Sequence, residues 1–555
     1  NSLLKYFKYI LLHSLVIFSF QNSKISNLQA QVVFEDLNNG VYSFLERMSL
    51  KFYLNLNDEV KPYSRNYIAQ NLLNIEKNKD LLNQVEKDEL EFYIQNFNYE
   101  FKNLSFHPED SPQVKSRWFL YSYEDSSFNL KINPIAGYGL SKIGNFSGHT
   151  RWIGASIYFT YSNWFGMNFN IRDKGEFGNN VDMNKYFTSE TGAWYKKVSN
   201  GIESSDLRGG INLNWDWGSI SLIKENMQWG HGKFGQLILS AKPPSYPHIR
   251  FSIKPVDWLR FTYIHGWLNS LVKDSAHAYY SYPGTLSQQL VESYIPKYVA
   301  ANLLTISPLD WLDVSAGNAI VYGGDLRAEF FIPFMFYKFL DHNTGRGNVN
   351  DGNGMMFFDV SVKYPENYQL YATAFIDVTE IRNILSNDFK NTWIGFTFGG
   401  KTINIFFDNL DINVEYTRLN PWVYEHKDEV TTYKHINYYL GHWLGQNADQ
   451  LRLQLDYQPL RGLKIKAFAE KIRKGGLDEI YYAYKGIKEK DLPFLYTPLR
   501  KENRVGLDIS YEFIHDLFIR GSLSHSDVRD DDSLRYAPFL LGTKTHLSFT
   551  INFGF

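Results

Sequence analysis

Cysteine is absent from this chain of 555 residues. Its absence excludes disulfide bonds, cysteine-ligated metal sites and a lipid anchor on cysteine, and it suits a compartment where free thiols would be oxidised. Net charge is almost absent too, because 57 basic residues oppose 59 acidic ones, and nothing indicates a nucleic-acid partner. Beyond residues 1–30, no segment reaches the roughly 18 continuous apolar residues that a membrane helix needs.

Aromatic residues, in contrast, make up 17% of the chain, yet the mean hydropathy is −0.35. Strands that alternate lipid-facing aromatic residues with polar neighbours give this combination. From Phe128 onward such alternation is present, for example over 249–254, 451–457 and 505–513. The pattern predicts an all-β fold, a transmembrane antiparallel β-barrel formed by residues 111–555.

The connections between these strands alternate in length. Short turns recur at 255–259, 308–312 and 459–463, whereas long connections such as 323–354 and 418–447 lie between them. Short turns at one end and long loops at the other are typical of bacterial outer-membrane barrels. Counting on this basis gives about 18 strands, with the stretch from 328 to 339 folded inward within its long loop.

Two segments precede the barrel. Residues 1–30 combine basic residues, an apolar stretch and a Leu-Gln-Ala cleavage sequence, so we expect a signal peptide. Residues 31–110 show helical spacing, with Ser64 as an expected N-cap, and we predict a small periplasmic bundle of three short helices. The sequence leaves open whether this bundle plugs the barrel or is a free adaptor.

The final residues have a strong strand pattern. Leu547, Phe549, Ile551, Phe553 and Phe555 alternate with polar residues or glycine and predict one outward stripe that ends at the terminus. An alternating strand that ends on an aromatic residue is the pattern associated with recognition by the barrel-assembly machinery. We therefore expect Phe553 and Phe555 to form the assembly signal.

A glycine-rich loop at 228–235 carries Trp229, His231 and Lys233, and an apolar stretch and a proline-rich turn follow it. This order resembles the Wzi capsule assembly family, as do the runs at 261–267, 414–422 and 441–449. The resemblance extends over most of the chain after residue 40. It implies an 18-stranded outer-membrane barrel with a periplasmic helical bundle that retains capsular polysaccharide as a surface lectin.

The strand order places three long connections on the outer side, and their aromatic and polar side chains suit a glycan. The alternative is that the aromatic residues belong to the interfacial girdle of the barrel. Carboxylates near Asp341 and Asp377 are expected to pair with Lys and Arg rather than to bind a cation. The candidate glycan-binding residues are Trp229, His231, Lys233, Arg418, Trp422, Tyr424, His426, His442, Trp443, Asn447 and Asp449.

The function expected from these features is non-catalytic binding of surface polysaccharide at the cell outer membrane. No nucleophile elbow or spaced catalytic triad is present, and we expect no cofactor and no metal. The expected partners are the polysaccharide, outer-membrane lipid and the barrel-assembly machinery. The alternatives are a porin or transporter, a structural component of a surface secretion or motility assembly, and a barrel enzyme that modifies lipid or glycan.

Overall fold

The computed structural model describes residues 33–104, 116–284, 286–344, 352–378, 393–476, 493–532 and 537–555. The predicted signal peptide lies outside these residues, as do Asp351 and Glu380, which accompany Asp341 and Asp377 in the two carboxylate groups that we expect to pair with Lys and Arg. None of the helices in the described ranges is long and apolar enough to cross a membrane.

The N-terminal part of the described chain is a helical bundle. Ser64 is the N-cap of the second helix, as predicted, because its side chain accepts a hydrogen bond from the Tyr67 N–H at 3.2 Å. Asn83 and Glu86 form a capping box at the third helix. A fourth helix follows directly, so the expectation of three was one short. The helices are α1 (Val41–Leu50), α2 (Arg65–Glu76), α3 (Gln84–Asn96) and α4 (Asn98–Leu104).

Eighteen antiparallel strands form a closed barrel, which confirms the predicted fold and strand count. Each strand pairs with the next along the chain, and the last pairs with the first, with Phe553 opposite Ala136. The strands are β1 (Phe128–Ile143), β2 (Phe146–Tyr161), β3 (Phe165–Gly178), β4 (Gly201–Trp215), β5 (Gly218–Glu225), β6 (Tyr246–Val256), β7 (Leu259–Lys273), β8 (Tyr294–Leu309), β9 (Leu312–Gly323), β10 (Asn353–Val362), β11 (Tyr368–Val378), β12 (Trp393–Thr402), β13 (Leu410–Leu419), β14 (Ala448–Leu460), β15 (Leu463–Lys474), β16 (Arg500–Ile514), β17 (Leu517–Asp530) and β18 (Gly542–Phe553).

The two ends of the barrel differ as expected. At the short-turn end, six of the connections have two or three residues. At the long-loop end, the connections are long, except for the turn between β1 and β2. The predicted outward stripe is present in β18, where Leu547, Phe549 and Ile551 are each about half exposed, at 44–52%.

Phe555 does not continue that stripe, which corrects the sequence-based prediction. Gly554 has a left-handed φ of +78°, which turns the chain out of the strand. The ring of Phe555 packs against Phe518, with 5.1 Å between centroids. Phe518 lies on the inward face of β17, whereas its neighbour Ile519 is exposed on the outward face.

Two long connections fold into the lumen, and we call 226–245 and 420–447 the inner loops. Their apolar side chains pack against inward-facing residues of β7 to β14, so this half of the lumen is a hydrophobic core. The inner-loop members of this core are Met227, Trp229, Leu237, Ile238, Leu239, Trp422, Val423, Tyr424, Tyr433, Leu440, Trp443 and Leu444.

The helical bundle lies against the short-turn end. The rings of Phe92 and His515 stack there, with 3.7 Å between centroids. The segment between α1 and α2 extends further, because Val60–Lys61 pairs with Gln228–Trp229 of the first inner loop. Of the two arrangements that the sequence left open, this is a plug rather than a free adaptor.

Residues 324–344 do not fold inward, so the sequence-based prediction for this loop was wrong. They contain a 3₁₀ turn (Ala328–Phe331) and a helix, α5 (Tyr337–Thr344), and no barrel strand. The buried residues Phe330 and Tyr337 pack on Tyr263 and Tyr322. Those two tyrosines lie on the outward face of β7 and β9. The residues that alternate with them along the strands, such as Arg260, face the lumen.

Candidate functional site

A large cavity lies in the long-loop half of the lumen, between the inner loops and the inward faces of β1–β5 and β14–β18. Its volume is about 1120 Å³, slightly above the range of about 300–1,000 Å³ that is usual for small-molecule sites. Eight Lys or Arg and six Asp or Glu side chains line it. The cavity is therefore polar, strongly charged and large enough for a ligand of several rings.

Arginine and glutamate side chains alternate along one wall of this cavity. Glu502 accepts from Arg500 at 2.7 Å and from Arg504 at 2.5 Å. Glu470 on β15 accepts from Arg452 on β14 at 3.2 Å. Because each glutamate is shared with arginine, the guanidinium groups are held in fixed orientations toward the lumen.

Three tryptophans line the same cavity. The Trp152 ring lies directly over Gly137, where an added Cβ carbon would come within 2.2 Å of it. Trp194 belongs to the long loop between β3 and β4 and is 56% exposed. Trp443 comes from the second inner loop, and its indole N–H donates to the Phe234 carbonyl at 3.0 Å. Flat aromatic faces next to charged donors are what a sugar ring requires.

A second cavity, of about 650 Å³, lies between the first inner loop and the helical bundle. Glu46 of α1 borders it, paired with Lys61 at 2.6 Å and Lys233 at 3.2 Å. Burial alone would raise the pKa of Glu46, but Lys233, Lys61 and Lys401 together hold it far below its ordinary value. Glu46 is therefore an anion that joins the bundle to the inner loop.

His231 is the centre of a buried junction between the bundle, the inner loop and the barrel. Its Nε2 lies 3.0 Å from Asp58, and its Nδ1 makes a short contact with Asp359 on β10. Burial would lower the pKa of His231, but Asp359 and Asp58 raise it well above the ordinary value. His231 is therefore a charged imidazolium bound by two carboxylates.

The same junction has the donor types of a metal site, because ligand atoms of Asp58, His231 and Asp313 lie within 4.8 Å of one another. Lys363, however, places its ammonium nitrogen 2.8 Å from Asp58 and 3.7 Å from Asp313. Arg260 also pairs with Asp313, at 2.8 Å, so three protein cations already balance these carboxylates and the donor set does not fit a metal ion.

The eleven residues predicted to bind glycan do not form one site. Lys233 and His231 border the smaller cavity, and Trp443 borders the larger one. Arg418 stacks on Phe494 at 3.9 Å on the outward face of the barrel. Asp449, also on that face, pairs with Arg473, with 2.9 Å between Nε and Oδ1.

The other six are buried by packing or hydrogen bonds among the inner loops. The Trp422 ring packs edge-on against Trp393, and the Tyr424 hydroxyl donates to the Leu237 carbonyl at 2.7 Å. Burial lowers the pKa of His442 to about 3. A glycan role for these six stays a prediction, but in this arrangement their side chains fill the lumen. They are Trp229, Trp422, Tyr424, His426, His442 and Asn447.

Sequence reasoning missed the residues that line the larger cavity from the strands. Trp152, Arg452, Glu502 and Arg504 lie at inward positions of regular strands. The signal was present, because residues that alternate with outward apolar residues along a barrel strand face the lumen. Only the closed strand order shows that these faces meet around one space.

A family model described as capsule assembly protein Wzi matches residues 209–533, more than half of the chain. The chain belongs to the Wzi capsule assembly family. The solved structure of Wzi from Escherichia coli, an outer-membrane protein involved in group 1 capsule assembly and described as a carbohydrate-binding β-barrel, superposes with a TM-score of 0.55. That match covers 95% of this chain and 100% of the other at 13% identity, so it shows a shared fold. The Wzi-family chain is therefore an outer-membrane β-barrel.

More distant barrels also match. OccAB1 of Acinetobacter baumannii has a TM-score of 0.41 at 11% identity, covering 78% of this chain and 99% of its own. OprD of Pseudomonas aeruginosa has a TM-score of 0.39 at 10% identity, covering 78% of this chain and 96% of its own. No curated protein sequence matches this Wzi-family chain.

Proposed function

We propose that this chain binds surface polysaccharide, without catalysis, in the larger cavity at the long-loop end of the barrel. The observation that carries the proposal is the combination of Trp152, Trp194 and Trp443 with the arginine wall around one space. Membership of the Wzi family and the carbohydrate-binding description of the Escherichia coli relative support the ligand class. In this proposal the long-loop end faces the outside, and the helical bundle faces the periplasm.

The charges of the cavity favour an acidic polymer. Glycans present hydroxyl groups and C–H faces to any barrel, but guanidinium groups add charge-assisted bonds to carboxylates or phosphates. Two of the six carboxylates that line the cavity, Glu470 and Glu502, are paired with arginine. Cleavage of a glycosidic bond usually needs one carboxyl group kept protonated. These pairs therefore support binding rather than hydrolysis.

Replacing Trp152 with alanine tests the proposal. We expect an affinity loss of about fivefold to tenfold for the host's own capsular polysaccharide, since a stacking contact contributes on the order of 1 kcal/mol. Affinity is measured by calorimetry on detergent-purified protein, and surface retention by labelling of cells. Trp164→Ala is the matched control, because Trp164 is half-exposed in the turn between β2 and β3 at the opposite end. If Trp152→Ala folds and binds like Trp164→Ala, the cavity is not the site.

A solute channel is the alternative function, and the filled lumen bears on it. The inner loops and the Val60–Lys61 segment meet inside the barrel. We therefore expect almost no single-channel conductance in planar bilayers. Sustained conductance by the full-length chain would favour the channel.

A further inference from the structure

The loop between β9 and β10 covers the outward wall of the barrel, and we call residues 324–344 the outer segment. Strand parity fixes the side on which it lies. Leu304 on β8 and Phe358 on β10 face outward and are 39% and 49% exposed. Ala300 and Ile320 face the same way, yet they are fully buried beneath the outer segment.

The contacts follow the wall through much of its height. Phe334 stacks on Phe261, near the short-turn end of β7, with 4.1 Å between centroids. Phe330 packs on Tyr322, near the long-loop end of β9, at 4.7 Å. In the strand register these two levels are six residues apart, which is roughly 20 Å along a strand and about 15 Å of depth in a tilted barrel. An outward apolar band is about 25 Å tall, so the contacts extend over more than half of it.

The wall carries polar groups that fit the backbone of the outer segment. The Asn302 side-chain amide donates to the carbonyls of Pro333 and Met335 at 2.8 and 2.9 Å. Asn318 accepts from the Tyr337 N–H at 2.9 Å. Irregular backbone at membrane depth is tolerated only where the protein satisfies its hydrogen-bonding groups. Two asparagines on a lipid-facing wall would be costly without such partners.

The composition of the segment agrees with this position. Residues 330–337 contain five aromatic residues and no charge. The charged residues Arg327 and Glu329 pair with each other before this stretch, at 2.7 Å. Lys338, which follows it, lies against Gly354 at the long-loop end of β10. Charged residues thus flank the apolar stretch on both sides, and they lie where the loop leaves the barrel.

We propose that the outer segment is an intramembrane surface whose exposed side chains contact lipid acyl chains. Phe334 is 62% exposed and continues the apolar band of the neighbouring wall. The segment widens the lipid-facing surface on one side of the barrel only. Acyl chains are the partner that fits, because the exposed face is apolar and adjoins the lipid band on both sides.

A spin label tests this placement, and the absence of cysteine permits a single site at a time. Phe334→Cys is labelled with a nitroxide in phosphatidylcholine vesicles, and its collisions with oxygen and with a water-soluble nickel chelate are measured. Phe358→Cys on the bare wall is the lipid control, and Leu286→Cys in the loop between β7 and β8 is the water control. We expect Phe334→Cys to match Phe358→Cys, with high oxygen and low nickel collisions. High nickel collisions, or low values for both probes, would overturn the proposal.

A second variant tests the asparagine contacts. Asn302→Leu with Asn318→Leu keeps the wall apolar but leaves the Pro333, Met335 and Tyr337 backbone groups without partners. We expect the label at Phe334→Cys to become accessible to the nickel chelate in this background, while heat-modifiable mobility shows that the barrel has folded. An unchanged lipid-like signal would show that the asparagines do not hold the segment, and would overturn that part of the proposal.

Discussion

Replacing His231 with alanine removes the cation that joins two buried carboxylates. Lys363 still neutralises Asp58 at 2.8 Å, and Thr373 still donates to Asp359 at 2.6 Å. Asp359, however, has no other cation within ion-pair distance among the described residues. Breaking a buried pair in this way costs about 3–5 kcal/mol, because a charge is left without compensation.

Local opening of the first inner loop is the quantity to measure. A loss of 3–5 kcal/mol corresponds to roughly two to three and a half powers of ten in the opening equilibrium, at about 1.4 kcal/mol for each power. Hydrogen exchange of the peptides that contain Val60–Lys61 and Gln228–Trp229 should lose protection by about that factor. Adding Asp359→Asn should restore part of the protection, since it removes the uncompensated charge.

His435→Ala is the matched control for this variant. His435 is also buried in an inner loop, but burial lowers its pKa to about 3, so it is neutral, and among the described residues its ring accepts one hydrogen bond, from the Asn269 N–H at 3.0 Å. Its loss should cost about 1 kcal/mol, the worth of one neutral hydrogen bond. Equal protection in His231→Ala and the parent chain would refute the reasoning.

The junction also has a pH window. The pKa of His231 is raised in the folded state, so its contribution is complete below the unfolded value of about 6.5 and is lost as the pH rises through the folded value. The pKa of Asp58 is held well below its ordinary value, because Lys363 and His231 outweigh the effect of burial. Its contribution is present above about pH 4 and lost as the pH falls through the folded value. Hydrogen-exchange protection of Gln228–Trp229 should therefore persist at pH values above the folded-state pKa of Asp58 and below the folded-state pKa of His231.

Two further predictions concern assembly and the plug. Deleting residues 31–103 should leave a barrel that still inserts, since β1 begins at Phe128. The deletion should raise conductance in planar bilayers, because the Val60–Lys61 segment no longer fills the lumen. Unchanged conductance would mean that the inner loops alone close the barrel. Phe555→Asp should lower the amount of folded outer-membrane barrel without affecting export, because it places a charge against the Phe518 ring. Heat-modifiable mobility in fractionated cells measures this amount. Normal levels would show that the terminal ring is not needed for assembly.

The barrel was predictable because its physics is local to each strand. An outward residue meets lipid and its neighbour meets the lumen, so an alternation such as that at Leu451, Leu453 and Leu455 fixes the orientation of its strand. The turn lengths then fix the parity of all the strands. The bundle was predictable for a similar reason, since Ser64 is a cap by local chemistry.

The destinations of the long loops were not predictable in this way. An apolar loop is equally well buried in a lumen core or against an outward wall, and hydrophobicity alone does not distinguish these two locations. The 420–447 loop lies inside the lumen and the 324–344 loop lies against the outward wall, although both are rich in aromatic residues. What decides is the partner surface: inward Phe375 packs against the 420–447 loop, and outward Asn302 and Asn318 bind the 324–344 loop.

The same ambiguity limits the prediction of the binding residues, and the tryptophans of the second inner loop give a direct test of it. Trp422 and Trp443 are both buried, at 5% and 7% exposed; Trp422 packs against Trp393, whereas Trp443 also borders the larger cavity. Trp422→Ala should destabilise the inner loop by about 3–5 kcal/mol, as expected for a large core residue. Trp443→Ala should also lower polysaccharide affinity by roughly fivefold to tenfold, the worth of one stacking contact, which Trp422→Ala should not do. Hydrogen exchange of the 420–447 peptides and calorimetry with polysaccharide measure the two effects separately. If Trp422→Ala weakens binding while exchange stays at the parent level, the sequence-based site is right and the cavity assignment is wrong.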